Sequence, residues 1–369
     1  MNFHFLQPPL ALVPAWTTIC GSAIGASPGS IAVCAELGLV VFSDKRMNTI
    51  SMFSVRTHDK LSLLGTLGGR HTPCPLQFAF SSNDADKQRP GGGGMMAFTG
   101  SALQHVLVVT DVEDKVHVID VVHGRHLGFV LPHDRPLPIP SPCAVAATGD
   151  LVAVSAGRPD CASRALYSTC VGFTIQLVRG TLTTSTSIFA GIRWHFLREI
   201  LVEGGIPRSF LKVSDDGARL LAQISPRFGL PQWTCQEIAV KDGSCLSRIH
   251  EEWWMYADAL VDVVWDGHEW LLLAFLQNFG FSEDWALLPT KPRSRLDNLF
   301  IASLKEGEPV ALACLPGFGF VVLAKQHDHE DHSDACLRFY GFPNVVAMLC
   351  MSDIRVAWLS AVIRGLFKI

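Results

Sequence analysis

The stretch HVLVVTDVEDKVHVIDVVHGRHLGFV, residues 105–130, alternates apolar and polar residues, breaks at VEDK and then alternates again. A period of two is the pattern of a half-buried β-strand, and a short polar break between two such runs is typical of a hairpin. An isolated hairpin is marginally stable in water. The stretch therefore predicts a fold in which several hairpins pack together.

The same pattern of strand, short turn and more apolar strand recurs along the chain. Six copies begin at Ser30, Met96, Cys143, Phe210, Leu260 and Val310. Successive copies start 66, 47, 67, 50 and 50 residues apart. Repetition near 40–50 residues, with insertions in some copies, is typical of propeller blades. We predict an all-β fold, a six-bladed β-propeller, although such degenerate repeats leave five or seven blades open.

Glycine marks the predicted hairpin turn in five of the six copies. These glycines are Gly38, Gly149, Gly217, Gly267 and Gly317. Glycine suits such turns because it adopts positive φ without steric cost. The copy that begins at Met96 has SALQH instead, which predicts a longer and looser turn.

Two of the repeats carry a further pattern, in which an aspartate ends a strand and a polar turn leads into a β-branched strand. Its positions are Asp44, Asn48 and Ile50 in the first copy, and Asp111, Asp114 and Val116 in the second. This pattern resembles the NHL repeat. The match is good in the first two blades, partial in the third and sixth, and poor in the fourth and fifth. The resemblance implies an interaction platform, although some similar six-bladed propellers are enzymes that bind calcium or zinc near the central channel.

The C-terminal part adds a second resemblance and a predicted helix. CLRFYGFPNVVAMLCMSDIRVAWLSAV is similar to the endings of uncharacterised NHL-like proteins of unicellular eukaryotes, a likeness that implies no activity. Ser352 and Asp353 provide an N-cap for a helix after them. We predict one propeller domain over residues 1–343 and a helical tail, 344–369, docked on it. Residues 10–20 are expected to form a strand that joins the last blade and closes the ring.

The net charge and the cysteine content indicate which classes of protein the sequence fits. The formal charge is −4 and no strongly basic region is present, which argues against nucleic-acid binding. The 11 cysteines include no CxxC pair and predict reduced thiols in an intracellular, cytoplasmic protein.

The first 20 residues lack a basic start and contain three prolines, so no signal peptide is expected. No apolar run reaches the length of a membrane span, and nothing in the pattern determines the oligomeric state.

A predicted insert at residues 279–298 carries the candidate partner-binding residues. Trp285 is expected to lie in a Pro-flanked loop and to be an exposed anchor, whereas packing between blades is expected for most other tryptophans. Lys291, Arg293 and Arg295 follow in LPTKPRSRLDN. They could contact an acidic patch of a protein or peptide partner; the alternative is a solvated loop.

Metal-binding candidates occur in two places. His327, His329 and His332 lie in QHDHEDHSDAC, and imidazole is a sound zinc ligand, but a solvated loop is the favoured interpretation. Acids near the inner strand ends could hold calcium in the channel, namely Glu36, Asp150, Asp216 and Asp262. No DxDxDG loop supplies a cage, so turn-forming acids are the favoured interpretation.

The sequence favours a binding protein over an enzyme. It contains no GxSxG nucleophile elbow, and the run GGGG at 91–94 is not followed by GKS or GKT. We predict a non-catalytic platform that binds a protein or peptide through rim loops and needs no cofactor. The alternative is a calcium- or zinc-dependent propeller hydrolase or lyase with its site at the central channel.

Overall fold

The computed structural model describes the strands and the short turns of the chain. The described residues are 16–19, 28–44, 49–55, 60–61, 95–111, 115–133, 142–156, 172–183, 191–203, 206–225, 234–249, 259–265, 270–276, 284–289, 302–304, 308–315, 319–327 and 333–341. No helix among them is long and apolar enough to cross a membrane.

The described strands form six four-stranded antiparallel sheets. Sheet 1 contains β2 (Pro28–Cys34), β3 (Leu39–Asp44), β4 (Thr49–Ser54) and β5 (Lys60–Leu61). Sheet 2 contains β6 (Met96–Phe98), β7 (Leu107–Thr110), β8 (Val116–Asp120) and β9 (Arg125–Phe129). Sheet 3 contains β10 (Pro142–Thr148), β11 (Leu151–Ala156), β12 (Gly172–Leu182) and β13 (Ile192–Glu203).

The remaining sheets follow in chain order. Sheet 4 contains β14 (Ile206–Val213), β15 (Arg219–Ser225), β16 (Thr234–Ala239) and β17 (Cys245–Ile249). Sheet 5 contains β18 (Ala259–Trp265), β19 (Trp270–Leu276), β20 (Asp284–Pro289) and β21 (Ala302–Leu304). The composite sheet contains β22 (Glu308–Leu315), β23 (Gly319–His327), β24 (Ser333–Gly341) and, beside β24, the N-terminal strand β1 (Trp16–Ile19).

The first strands of the sheets lie side by side and form a closed ring. Contacts join β2 to β6, β6 to β10, β10 to β14, β14 to β18, β18 to β22 and β22 back to β2. A ring of radially arranged four-stranded sheets around a central channel is a β-propeller. Each predicted hairpin coincides with the first two strands of a sheet, so the repeat assignment is confirmed.

The predicted turn chemistry is confirmed where the turns are described. Gly38, Gly149 and Gly217 have φ values of 64°, 54° and 66°, whereas Gly267 and Gly317 lie outside the described residues. The turn after β6 is longer, as predicted from SALQH, and contains a 3-10 turn, Ser101–Leu103.

Alternate residues of each strand pack against different neighbouring sheets. Val40 lies in the apolar cluster between sheet 1 and the composite sheet, and Val41 lies in the cluster between sheets 1 and 2. Two similar clusters join sheet 2 to sheet 3 and sheet 3 to sheet 4. Side chains of a strand point alternately to opposite faces. The inner strands of sheets 1 to 3 are therefore apolar on both faces, and these three sheets are covered on both sides.

Sheets 4 and 5 are joined by a mixed aromatic and charged contact. The guanidinium carbon of Arg219 lies 4.2 Å from the ring centroid of Trp265. Trp270 donates from Nε1 to Glu237 at 3.1 Å, and Arg219 also pairs with Glu237 at 3.2 Å. The Ser247 hydroxyl donates to the other carboxylate oxygen of Glu237 at 3.0 Å, and burial of this carboxylate is tolerated because all three partners are in place. The expectation that tryptophans pack between blades is confirmed for Trp265 and Trp270.

The fold class predicted from the sequence, six blades followed by a helical segment, is corrected in two respects. Five blades, not six, are each built from four consecutive strands; the remaining sheet is composite, because its fourth strand comes from the other end of the chain. The described residues contain no α-helix, only the 3-10 turn Ser101–Leu103. The predicted helical tail, residues 344–369, lies outside the described residues.

The predicted closing strand is confirmed as β1. It pairs antiparallel with β24, with Trp16 opposite Phe339 and Ile19 opposite Cys336. Without β1, the edge of β24 would be open, and open edges pair with other chains.

A truncation tests the role of β1. Removing residues 1–19 should lower the melting temperature by at least about 2–4 °C, as expected for about 1 kcal/mol in a protein larger than 150 residues. It should also increase aggregation on heating, measured by light scattering. Removing residues 1–15, which leaves β1, is the control. Equal melting temperatures for both truncations would contradict the role of β1.

Asp111, one of the NHL-like positions, organises the turn between β7 and β8. It is 4% exposed, and its Oδ1 accepts a hydrogen bond from the Lys115 amide at 2.9 Å. Its Oδ2 lies 2.6 Å from Nε2 of His117 on β8. The aspartate thus fixes both the turn and the strand that follows it.

Replacing Asp111 tests this interpretation. Asp111→Ala should lower the free energy of unfolding by about 2–3 kcal/mol, because it removes buried hydrogen bonds to a carboxylate. Asp120→Ala is the matched control, since Asp120 accepts amide hydrogen bonds from Val122 and His123 in a more exposed turn. We expect the control to lose about 1 kcal/mol or less. Both values come from urea denaturation, and equal losses would argue against the assignment.

Candidate functional site

The central channel holds a cavity of about 250 Å³. Each of the six sheets contributes residues to its wall, from the first strand, the turn that follows it or, for Met95, the position just before it. The strand segments include Ile31–Cys34 of β2 and Leu211–Val213 of β14. The cavity therefore lies on the axis around which the sheets are arranged.

One end of the cavity is formed by the turns that follow the first strands of sheets 1 to 4. We call these turns, residues 35–38, 99–106, 149–150 and 214–218, the channel mouth. The Gly100 amide donates to the Gly149 carbonyl at 2.7 Å, and the Thr148 hydroxyl donates to the Asp215 carbonyl at 3.1 Å. Hydrogen bonds from turn to turn hold the mouth in one arrangement.

Gln104 and His105 have a left-handed backbone, with φ values of 58° and 55°. Among the described residues, they are the non-glycine positions with positive φ. Such conformations are uncommon for residues other than glycine and are kept where the surrounding structure imposes them. Here the His105 amide donates to the Gly100 carbonyl at 3.0 Å, and His105 contributes to the wall of the cavity.

Three potential metal ligands meet at the channel mouth. Cys34 is the last residue of β2, Glu36 lies in the next turn, and His105 comes from the neighbouring sheet. One ligand atom from each of the three side chains lies within 4.8 Å of the other two. Cys34 is buried, His105 is partly buried and Glu36 is exposed. Thiolate, imidazole and carboxylate are all ligands of zinc.

The Cys34 thiol is protonated at neutral pH in the absence of a metal. Burial, with a smaller contribution from the negative charge of Glu36, raises the pKa of Cys34 to about 11. The thiol donates a weak hydrogen bond to Oε2 of Glu36 at 3.6 Å. A neutral thiol is a poor nucleophile, so this geometry does not correspond to an activated catalytic cysteine.

The other acids predicted near the channel have local partners. Asp216 accepts hydrogen bonds from the Ser214 hydroxyl and the Ala218 amide, and these bonds hold its pKa below the ordinary value. Asp150 pairs with Arg179 at 3.2 Å. Asp216 therefore stabilises its own turn, and Asp150 forms an ion pair. Asp262 pairs with Leu273 in sheet 5, and its side chain lies outside the described part.

The predicted partner-binding residues are only partly described. Trp285 lies on strand β20, between β19 and β21, opposite Phe275 and Leu304. The prediction that it lies in a loop is wrong, because residues 284–289 form a strand inside the predicted insert. Lys291, Arg293 and Arg295 lie outside the described residues, and their role stays a prediction.

The histidine-rich segment is also partly described. His327 is the last residue of β23 and pairs with Ser333 at the start of β24. His329 and His332 lie outside the described residues, so metal binding by the three histidines stays a prediction.

The sequence identified Glu36 but missed Cys34 and His105. No local motif joins positions 34 and 105, which belong to different repeats. The sequence did contain one signal, the turn SALQH. Among the six predicted hairpins, this is the one whose turn lacks the glycine, and its last residue, His105, has the left-handed backbone.

Comparisons with known proteins concern the fold. No protein-family model and no curated protein matches the sequence. Hydrazine synthase of Kuenenia stuttgartiensis is 15% identical with a TM-score of 0.45, over 83% of this chain and 80% of that chain. A chain of the mitotic checkpoint complex is 7% identical with a TM-score of 0.48, over 92% and 96% of the two chains. The calcium-binding protein regucalcin of Agrobacterium tumefaciens is 10% identical with a TM-score of 0.47, over 91% and 96%. None of these likenesses assigns an activity.

The contact between Gly100 and Gly149 can be tested by adding one methyl group. A Cβ at position 100 would lie 2.7 Å from the Gly149 Cα, so the two turns would have to separate. Gly100→Ala should lower the free energy of unfolding by about 1–3 kcal/mol and increase amide hydrogen exchange in the turns of the mouth. Gly191→Ala is the control, because its Cβ would meet only the Thr183 hydroxyl, at 3.2 Å. Unchanged exchange in Gly100→Ala would show that this contact does not order the mouth.

Proposed function

We propose that the protein is a non-catalytic, NHL-like binding platform whose channel mouth receives part of a protein or peptide partner. The observation that carries this proposal is the left-handed pair Gln104–His105. A strained backbone at the end of a channel is kept when it positions a side chain for binding. The hydrogen-bonded turns around it give a surface that is already ordered before a partner arrives, which lowers the entropic cost of binding.

The size of the cavity favours a partner over a free small molecule. Pockets that enclose drug-sized ligands measure about 300–1,000 Å³, whereas this cavity is about 250 Å³. Such a volume accommodates a side chain or a chain end, with the remainder of the partner lying across the mouth. Contacts outside the cavity would then supply most of the interface.

The charges at the mouth suggest the chemistry of the inserted group. Two acids, the exposed Glu36 and Asp215, and one base, Lys212, line the cavity, which leaves an excess of negative charge among the described residues of its wall. Opposite charges steer association and determine specificity. We therefore expect the inserted group to be basic, a lysine or arginine side chain or an N-terminal amine. Lys291, Arg293 and Arg295, together with Trp285, would contact a separate, acidic part of the same partner.

A second candidate function is favoured by one observation. The grouping of Cys34, Glu36 and His105 at the channel is consistent with a metal-dependent hydrolase or lyase. That function requires a substrate as well as a metal, and the small cavity argues for the platform.

A peptide selection tests the platform. Random peptides displayed on phage are selected on the immobilised full chain, and the affinity of the selected peptides is measured by calorimetry. We expect basic peptides to be enriched and Glu36→Lys to weaken their binding at least about tenfold, because the substitution places like charges together. Glu36 is exposed, so the substitution should leave the fold intact.

Glu199→Lys is the matched control, because Glu199 is exposed on the outer strand β13. It should change the affinity less than twofold. The triple variant Lys291→Ala, Arg293→Ala, Arg295→Ala should weaken only peptides that carry an acidic segment. Equal affinities of Glu36→Lys and Glu199→Lys, or the absence of any selected peptide, would refute binding at the mouth.

A further inference from the structure

The three ligand atoms at the channel mouth are already close to the spacing of a zinc site. In tetrahedral zinc sites with Zn–S near 2.3 Å and Zn–N or Zn–O near 2.0–2.2 Å, neighbouring ligand atoms lie about 3.5 Å apart. The Cys34 Sγ and Glu36 Oε2 are 3.6 Å apart, and one ring nitrogen of His105 lies within 4.8 Å of the Cys34 Sγ and of a carboxylate oxygen of Glu36. A shift of about 1 Å by the exposed Glu36 or the partly buried His105 would complete this geometry.

The positions of the three residues are determined by rigid elements. Cys34 ends a strand that is paired with β3 and buried in the cluster between sheets 1 and 2. His105 is fixed by the turn that it ends, in which the Leu103 and His105 amides donate to the Gly100 carbonyl and the Gln104 amide donates to the Ser101 carbonyl. Metal sites need ligands on supported elements. Here, in contrast to the histidine-rich segment, two of the ligands come from different sheets and meet across their interface.

The type of ligand selects the metal. Calcium and magnesium require a shell of oxygen ligands, whereas sulfur and imidazole nitrogen favour zinc. A set of one thiolate, one imidazole and one carboxylate is one short of the four ligands of a closed structural site. The group also borders the cavity, from which a water molecule or a partner group can reach the fourth position.

We propose that Cys34, Glu36 and His105 bind one zinc ion at the channel mouth, with an open fourth position facing the cavity. Binding replaces the thiol proton of Cys34, which passes to solvent, by the metal ion. The ion joins sheet 1 to sheet 2 directly. This site does not need the proposed partner role, but it uses the same Glu36 carboxylate, so bound zinc should weaken the binding of basic peptides. The two proposals are therefore tested apart, zinc binding with the protein alone and peptide binding in the presence of a chelator.

The test uses the full chain without an affinity tag. Zinc affinity is measured by competition with a chromophoric chelator, first in a background variant, His327→Asn, His329→Asn, His332→Asn, that lacks the histidine-rich ligands. We expect one zinc ion per chain in this background and a higher melting temperature with zinc. Cys34→Ser and His105→Gln should each weaken zinc binding at least about 100-fold, since changes to groups that merely support ligands cost about 10–100-fold.

Cobalt provides a spectroscopic readout of the thiolate ligand. Cobalt-substituted protein should show a sulfur-to-metal charge-transfer band that is absent in Cys34→Ser. Cys314→Ser and Cys245→Ser are the matched controls, because Cys314 borders the same cavity and Cys245 is an exposed thiol. Both controls should keep the band.

Two results would overturn the proposal. One is loss of the zinc ion in the triple histidine variant, which would place the metal in the histidine-rich segment. The other is unchanged zinc affinity in Cys34→Ser and His105→Gln. If Cys34→Ser or His105→Gln does not fold, the variant Glu36→Gln provides the test, because Glu36 is exposed and glutamine has nearly the same shape. It should weaken zinc binding at least about tenfold, and an unchanged affinity would refute the site.

Discussion

The packing of apolar side chains between neighbouring sheets is the interaction on which the whole structure depends. Inner strands of sheets 1 to 3 send alternate residues to two different interfaces, as Val40 and Val41 do in sheet 1. A sheet with two apolar faces is stable only when both are covered. A row of such sheets leaves two uncovered faces at its ends, and closing the row into a ring removes them. The low fraction of charged residues, 17%, follows from this arrangement.

The same constraint determines where chemistry can occur. In β10, Val145 belongs to the cluster with sheet 2, and Ala144 and Ala146 belong to the cluster with sheet 4. The first strands form most of the cavity wall, but with few exceptions their side chains there are apolar. The turns at the strand ends are free of the packing requirement. Glu36 and His105 lie in such turns, and Cys34 is the last residue before one.

The repeating part of the structure could be predicted from the sequence, because hairpins and turn glycines are local features. Closure by β1 was also predictable, since a ring needs its ends to meet. The candidate site could not be predicted, because Cys34 and His105 become neighbours only when sheets 1 and 2 pack together. The flanking prolines predict a loop at Trp285, yet the run DWALLP forms a strand that pairs on both sides. Strand pairing of that kind depends on neighbours distant in sequence.

The composite sheet also has a consequence for biosynthesis. β1 leaves the ribosome first, and its partner β24 is among the last strands to be translated. β1 has no partner until β24 has been translated, so closing the ring is a late step of folding. Pairing between segments this distant in sequence is intrinsically slow. Until that step β1 stays unpaired, and an unpaired strand can pair with other chains.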